Sequence, residues 1–410
     1  MNKRFNRAMV ITAASTWILA NSGSVLAGEA ATQSEIDELK AKVQMLIQQN
    51  QELNTRLSGM EQKNLHASTT KAAIEEEVSR QMEAKNSGPQ VSDFVSLSGS
   101  IEGDYKLFQG KGGANKSEFI LDTVELILDL QVADWATGKI VIDYDGDDDD
   151  RFYLDEANIT LGKTENIPFF ITTGKIYVPF GDFSTNMIQD PLPQTLGEIN
   201  PKGVIIGYEA NGLTATVFSY NGLDEGDENN DTINGFGASL AYDYEQEDIG
   251  FNAGIAWVTN IGDSSTLTDV INDNGFNSVI DVVPGISVNV GGSYKSVSLI
   301  AEYIAAMDSF DALEVAYDAG GAEPKALSTE LAYTTALMDK DTVFAIGYQR
   351  SWEAYALDLP EHRYIAAASM NVARGTSVTL EYYNDKFYDN DPDASQNSGY
   401  GFTTRLMYEF

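Results

Sequence analysis

The sequence predicts an all-β transmembrane barrel of about 16 antiparallel strands, preceded by an α-helical coiled-coil segment. Three observations carry that prediction. The first residues have the layout of an export signal, and a heptad repeat follows them. Beyond residue 90, apolar residues recur at period two in runs of about ten residues, and the connections between runs alternate between short and long.

In "MNKRFNRAMVITAASTWILANSGSVLA", Lys3, Arg4 and Arg7 precede an apolar run from Ala8 to Ala20, and small residues end at Val25-Leu26-Ala27. This predicts a signal peptide over 1–27, cleaved after Ala27. The run is shorter than the ~20 residues that span a bilayer as a helix.

The segment "EIDELKAKVQMLIQQNQELNTRLSGM" changes the period to 3.5. Ile36, Val43, Asn50 and Leu57 occupy position a; Leu39, Leu46, Leu53 and Met60 occupy position d. A seam of this kind predicts a homo-oligomer, with Asn50 fixing register; the rules allow a dimer or a trimer. Ser87-Gly88-Pro89 breaks the helical pattern, so residues 28–90 form an expected periplasmic coiled coil and linker.

Residues 91–410 form the expected barrel. Asn211-Gly212, Lys295-Ser296 and Arg374-Gly375 suit tight hairpins, whereas Gly181 to Lys202, Ile261 to Pro284 and Met307 to Ala322 are long connections. No helix of consequence is expected among them. Val124, Leu126, Leu128 and Leu130 make an apolar stripe with charged residues opposite, as do Val378, Leu380 and Tyr382. A water-soluble β protein would turn polar residues outward, so the stripes predict lipid. The final "FTTRLMYEF" sets Phe402, Thr404, Leu406, Tyr408 and Phe410 on one face, and this strand is expected to pair with the first, near Asp93 to Gln109, leaving no edge. An even strand number puts both ends of the barrel, and the coiled coil, on the periplasmic side of an outer membrane.

Charge narrows the function. Lys and Arg number 26 against 62 Asp and Glu, a formal charge of -36, which argues against nucleic acid and for a field that attracts cations. The absence of cysteine excludes thiol chemistry and disulfides. The two histidines, His66 and His362, have no nearby sequence constellation that suggests catalysis, so no enzyme and no cofactor is expected.

In a barrel of this width the inward residues form the functional surface. Glu125, Asp129, Asp143, Glu302, Glu330 and Glu381, with Lys175 and Arg405, are the pore-lining candidates. The stretch "STNMIQDPLPQTLGEINPKG" follows the fifth strand. Its prolines deny it strand pairing, and it is expected to fold into the lumen as a constriction, with Asp190, Pro191, Leu192, Glu198 and Lys202 as candidates. In "DYDGDDDDR", Asp145, Asp147 and Asp149 offer hard oxygen ligands for calcium, without the full spacing of an EF-hand loop.

The signal, the heptads, "GKIYVPFG", "DPLPQTLGEI" and "VFSYNG" together resemble the siderophore porin family typified by the legiobactin receptor. The resemblance implies an outer-membrane barrel of sixteen strands without a plug, a periplasmic coiled-coil extension, and uptake of a ferric siderophore; no plug is expected between Gln90 and the first strand. It supplies no residue-level ligand set. A polycarboxylate siderophore is anionic, and so strong a negative charge repels it unless bases gather at the gate. A cation-preferring general porin for small hydrophilic solutes, and a coiled-coil tether anchored by a barrel, are the alternatives.

Overall fold

The computed structural model describes residues 94–146, 151–164, 167–223 and 232–410. The signal peptide, the coiled-coil seam, Asp147 and Asp149 lie outside these residues. The strands are β1 (Val95–Gln109), β2 (Asn115–Ala133), β3 (Ala136–Asp145), β4 (Arg151–Thr164), β5 (Ile167–Lys175), β6 (Lys202–Ala210), β7 (Leu213–Tyr220), β8 (Gly235–Gln246) and β9 (Ile249–Val258). They continue as β10 (Gly285–Tyr294), β11 (Val297–Ala306), β12 (Ala316–Tyr317), β13 (Gly320–Gly321), β14 (Lys325–Leu337), β15 (Lys340–Trp352), β16 (His362–Ala373), β17 (Thr376–Lys386) and β18 (Ser398–Glu409).

Apart from the short β12–β13 pair, which sits in a loop, the strands form one closed antiparallel barrel of 16. Sequence neighbours pair throughout, and β1 pairs with β18 from Ser100↔Glu409 to Gln109↔Tyr400. The terminal residue completes the seam: Gly99 N–H donates to the Phe410 carbonyl at 3.2 Å, and Phe410 N–H to the Gly99 carbonyl at 3.1 Å. Closure leaves no unpaired strand edge in the barrel, the condition for β structure in hydrocarbon.

Connections segregate by length. At one end, tight turns join successive hairpins. Asn211 and Gly212 both have positive φ, at 53° and 80°, the mirror-image turn that matches strand twist. The other end carries the long loops and two short helices the sequence reading did not anticipate, α1 (Leu192–Gly197) and α2 (Ser265–Asp273). No helix among the described residues is long and apolar enough to cross a membrane.

The outer wall is apolar. Phe119, Ile206, Val217 and Ile346 are each more than half exposed, and Leu97, Leu299, Leu380 and Leu406 are exposed on other strands. So continuous an apolar band is incompatible with water and fits a bilayer.

The interior has two characters. On the side of β6 to β14, the loops and both helices bury a compact apolar core at the long-loop end, including Phe180, Leu196, Phe218, Ile261, Leu267 and Ile304. In α2, Leu267 and Ile271 are one turn apart and fully buried, which explains why a nine-residue helix forms there. On the side of β1 to β4 the inner face is charged. The interior at the long-loop end is therefore packed on one side and charged on the other.

Candidate functional site

The site is built around the connection from β5 to β6. Its two legs pair first, with Ile176 N–H donating to the Pro201 carbonyl at 3.0 Å and Val178 N–H to that of Ile199 at 3.1 Å. Gly181 then turns the chain inward at φ 110°, where an added Cβ would lie 2.4 Å from the Phe183 ring. Beyond it the segment crosses to the far wall.

Three glutamates receive it. Glu302 on β11 accepts the backbone N–H groups of Asp182 and Phe183, at 2.8 and 2.9 Å. Glu330 on β14 accepts the Thr185 hydroxyl at 2.7 Å and Asn186 N–H at 3.1 Å. Glu381 on β17 accepts Ile188 N–H and Gln189 N–H. Between the last two, Gln349 Oε1 on β15 accepts Leu192 N–H at 3.2 Å. From below, Asn252 and Asn289 donate to Asp182 at 3.0 and 3.2 Å. A segment interrupted by proline cannot satisfy its N–H groups in a ladder, and these side chains do it instead.

This changes the role of three pore-lining candidates. Glu302, Glu330 and Glu381 point inward but are only 4, 6 and 1% exposed, because the loop covers them. They hold the loop rather than line the passage. Lys175 and Lys202 are also corrected: their register with Ile171 and Ile206 sets both on the outer face, where Lys175 Nζ donates to the Leu154 carbonyl at 2.7 Å. A cation is tolerated there because the position is at the rim, at the end of the strand.

The remaining candidates fall on the charged half. Arg405 on β18 pairs with Asp104 through two hydrogen bonds of 2.9 Å, and also with Glu102 and Asp122. Glu125, Asp129 and Asp143 share the inner face of β2 and β3; Asp143 accepts Tyr144 N–H at 2.8 Å and the Tyr153 hydroxyl at 3.3 Å. Pro191 and Leu192, in the loop itself, are buried. Glu198 accepts Gln194 Nε2 at 2.8 Å, and its carbonyl accepts Ser265 N–H, tying α1 to α2. Burial raises the Glu198 carboxyl above its usual range. Asp145 stands at the mouth of the same half, and no cluster of three metal-ligating side chains occurs among the described residues. His362 shares a hydrogen bond of 2.9 Å with the Tyr348 hydroxyl on the outer face.

Between the loop and the wall of β1, β2, β16 and β18 lies a cavity of about 480 Å³. Lys106, Arg363 and Arg405 line one side, and Asp190 faces them from the loop. Each base is already paired: Lys106 with Asp122 at 2.8 Å, Arg363 with Asp385 at 2.8 Å, and Arg405 as above. Asp190 makes no hydrogen bond or ion pair among the described residues. Its side chain is exposed to the lumen but enclosed by protein, and that desolvation raises its carboxyl above the usual range against the pull of Arg405. Nearer the tight turns, a second cavity of about 500 Å³ lies against Asp129, Lys139, Asn158 and Thr160. Both cavities use the inner face of β2 and β3.

Sequence reasoning missed the clamps of Gln349, Asn252 and Asn289, the bases Lys106 and Arg363, and the buried core of the loops. The amphipathic spacing of Leu267, Val270 and Ile271 was the one available signal for that core.

No protein-family model matches the chain. It is 30% identical over 302 residues to a UPF0422 protein of Coxiella burnetii, covering 72% of this chain and 64% of that protein. It is 26% identical over 253 residues to the UPF0422 protein lpp3030 of Legionella pneumophila strain Paris, covering 58% and 47%. The chain thus spans less than two thirds of the length of either relative. Among solved structures it superposes on Pseudomonas putida OprB with a TM-score of 0.54 at 10% identity, covering 78% of this chain and 95% of that one. On the outer membrane channel DcaP of Acinetobacter baumannii the TM-score is 0.51 at 15% identity, covering 77% and 97%. The fold shared with them is a closed antiparallel barrel of the porin type.

Proposed function

We propose that the protein is a passive outer-membrane channel for small hydrophilic solutes, with a preference for cations set where Asp190 faces the paired bases. The observation that carries this reading is the loop from β5 to β6, clamped across the lumen so that a charged cavity remains beside β1 and β2. The bases there are neutralised by their partners, whereas Asp190 is not, so the local field favours positive charge.

Uptake of a ferric siderophore is the second reading. It is supported by the family resemblance and by Lys106, Arg363 and Arg405 lining one cavity. Under either reading residues 1–27 are a signal peptide, residues 28–90 a periplasmic coiled coil that joins copies of the chain, and the tight turns face the periplasm. Loss of the oligomer in detergent on substituting Leu39, Leu46 and Leu53 tests the coiled coil; an unchanged mass removes it.

Conductance in planar bilayers under a potassium chloride gradient tests the channel. A cation-selective reversal potential supports the first reading, and reversible block by a ferric polycarboxylate siderophore added on the long-loop side supports the second. A closed barrel without current overturns both.

A further inference from the structure

We propose that the outer wall at the long-loop end binds the phosphate headgroup of an anionic membrane lipid, in a cavity on β14, β15 and β17 centred on Arg350. The cavity measures about 610 Å³ and is lined by Tyr303, Lys325, Arg350, Trp352 and Lys386 among others. This site is independent of what passes through the barrel.

Register places these residues outside. Lys325 follows the parity of Leu331, Arg350 and Trp352 that of Ile346, and Lys386 that of Tyr382, all lipid-facing. They therefore sit where the apolar band ends, the level at which headgroups begin. Bases on β14, β15 and β17 thus gather at one level of the outer wall, against four acids of the adjoining loops.

Acids share the cavity but come from different elements. Glu323, Glu353, Glu361 and Asp389 all belong to loops beyond the strand ends, while the bases belong to the strands beside the lipid. Glu323 holds Lys325 Nζ at 2.9 Å, and Glu361 holds Lys386 Nζ at 2.9 Å and lies 3.6 Å from His362 Nε2. An ammonium has three donors, so each lysine is oriented by one carboxylate and keeps donors for a second anion.

Arg350 is different. It has no carboxylate at ion-pair distance among the described residues, and its buried Nε lacks a hydrogen-bond partner. Its guanidinium lies 4.6 Å from the centroid of Trp352, which in turn meets Tyr303 edge-on at 6.3 Å. A guanidinium fixed on an indole, with an ammonium on either side, presents the planar donor array that phosphate accepts. Trp and Tyr beside it suit the boundary between chains and headgroups.

The test is native mass spectrometry of the full chain folded in detergent and titrated with dioleoyl-phosphatidylglycerol or dioleoyl-phosphatidylcholine. The expected result is retention of phosphatidylglycerol about tenfold tighter than phosphatidylcholine, lost in R350A and weakened in R350K. Equal retention of the two lipids, or an R350A barrel that still discriminates, overturns the proposal. Displacement by matched inorganic phosphate shows a free-anion site and overturns the lipid assignment. Folding of each variant is read from heat-modifiable gel mobility. If R350A fails to fold, K386A replaces it, with a smaller loss of discrimination expected and no loss counting against the site.

Discussion

Glu381 accepts the N–H groups of Ile188 and Gln189, which precede it by 193 and 192 residues in the chain. One carboxylate thereby fixes two consecutive backbone groups of a loop that starts on the opposite wall. Glu302 and Glu330 repeat the device on β11 and β14. Three anchors on three strands restrain the loop more than any one of them, since each shortens the free span left to the others.

Removing an anchor is therefore expected to loosen the constriction without opening the barrel. Hydrogen bonds to a charged acceptor contribute roughly 1.5–3 kcal/mol each, so E381A is expected to lose about that much local stability per bond. The bilayer readout is a larger and noisier single-channel conductance. E381Q, which keeps one acceptor oxygen, is expected to lie between E381A and the parent. Unchanged conductance in the double variant E302Q/E381Q would show that the loop does not limit the passage.

Asp190 gives the channel a pH response. Enclosure raises its carboxyl above the ordinary range, so on acidification it loses its charge earlier than a solvated aspartate, whose pKa is about 3.9. Cation preference is expected to fall as the pH drops through that raised value, and D190N is expected to show the low-pH selectivity at all pH values. The linkage has the matching sign. A carboxyl whose folded pKa lies above its unfolded one adds stability while protonated, and that contribution is lost as pH rises through the folded pKa. D190N is thus expected to be no less stable than the parent at neutral pH. Reversal potentials from pH 4 to 8 check the first statement and urea unfolding at neutral pH the second.

Arg405 concentrates the charge balance of the inner wall, facing Glu102, Asp104 and Asp122 together. In R405M three acids lose their common partner. Breaking such a buried network typically costs 3–5 kcal/mol, and a loss of about that size is expected in urea unfolding from detergent. Lys106 keeps its contact with Asp122, so part of the balance survives. The variant pore is also expected to become more cation-selective, and a shift toward anions would contradict the proposed field.

The barrel was legible because its causes are local. Alternation in Val124 to Leu130 and in Phe402 to Phe410 sets which face meets lipid, and Asn211-Gly212 can adopt its turn whatever surrounds it. The clamps were not legible, because Glu302, Glu330 and Glu381 resemble any inward acid until the loop's N–H groups are in place. Their partners lie more than a hundred residues away, and no pattern in either segment announces the pairing. Lys175 misled for another reason: its charge suggested the lumen, but strand register put it on the outer rim. The loop core escaped notice because its residues are spread over several connections and strand ends, and only Leu267, Val270 and Ile271 show a helical spacing.

The seam between the two ends of the barrel offers the most direct test of closure. A Cβ at Gly99 would lie 2.2 Å from the Glu125 carbonyl oxygen and 3.0 Å from the Phe410 ring. The first neighbour is backbone and cannot give way, so G99V must push β1 away from β2 or from the terminal residue. Both Gly99–Phe410 hydrogen bonds depend on that spacing. G99V is expected to slow or prevent assembly, read as loss of the heat-modifiable folded band. Gly103, on the same face and with nothing within 4 Å of an added Cβ, serves as the control: G103A is expected to fold as the parent does. If G99V folded as readily as G103A, the terminal pairing would not be what closes the barrel.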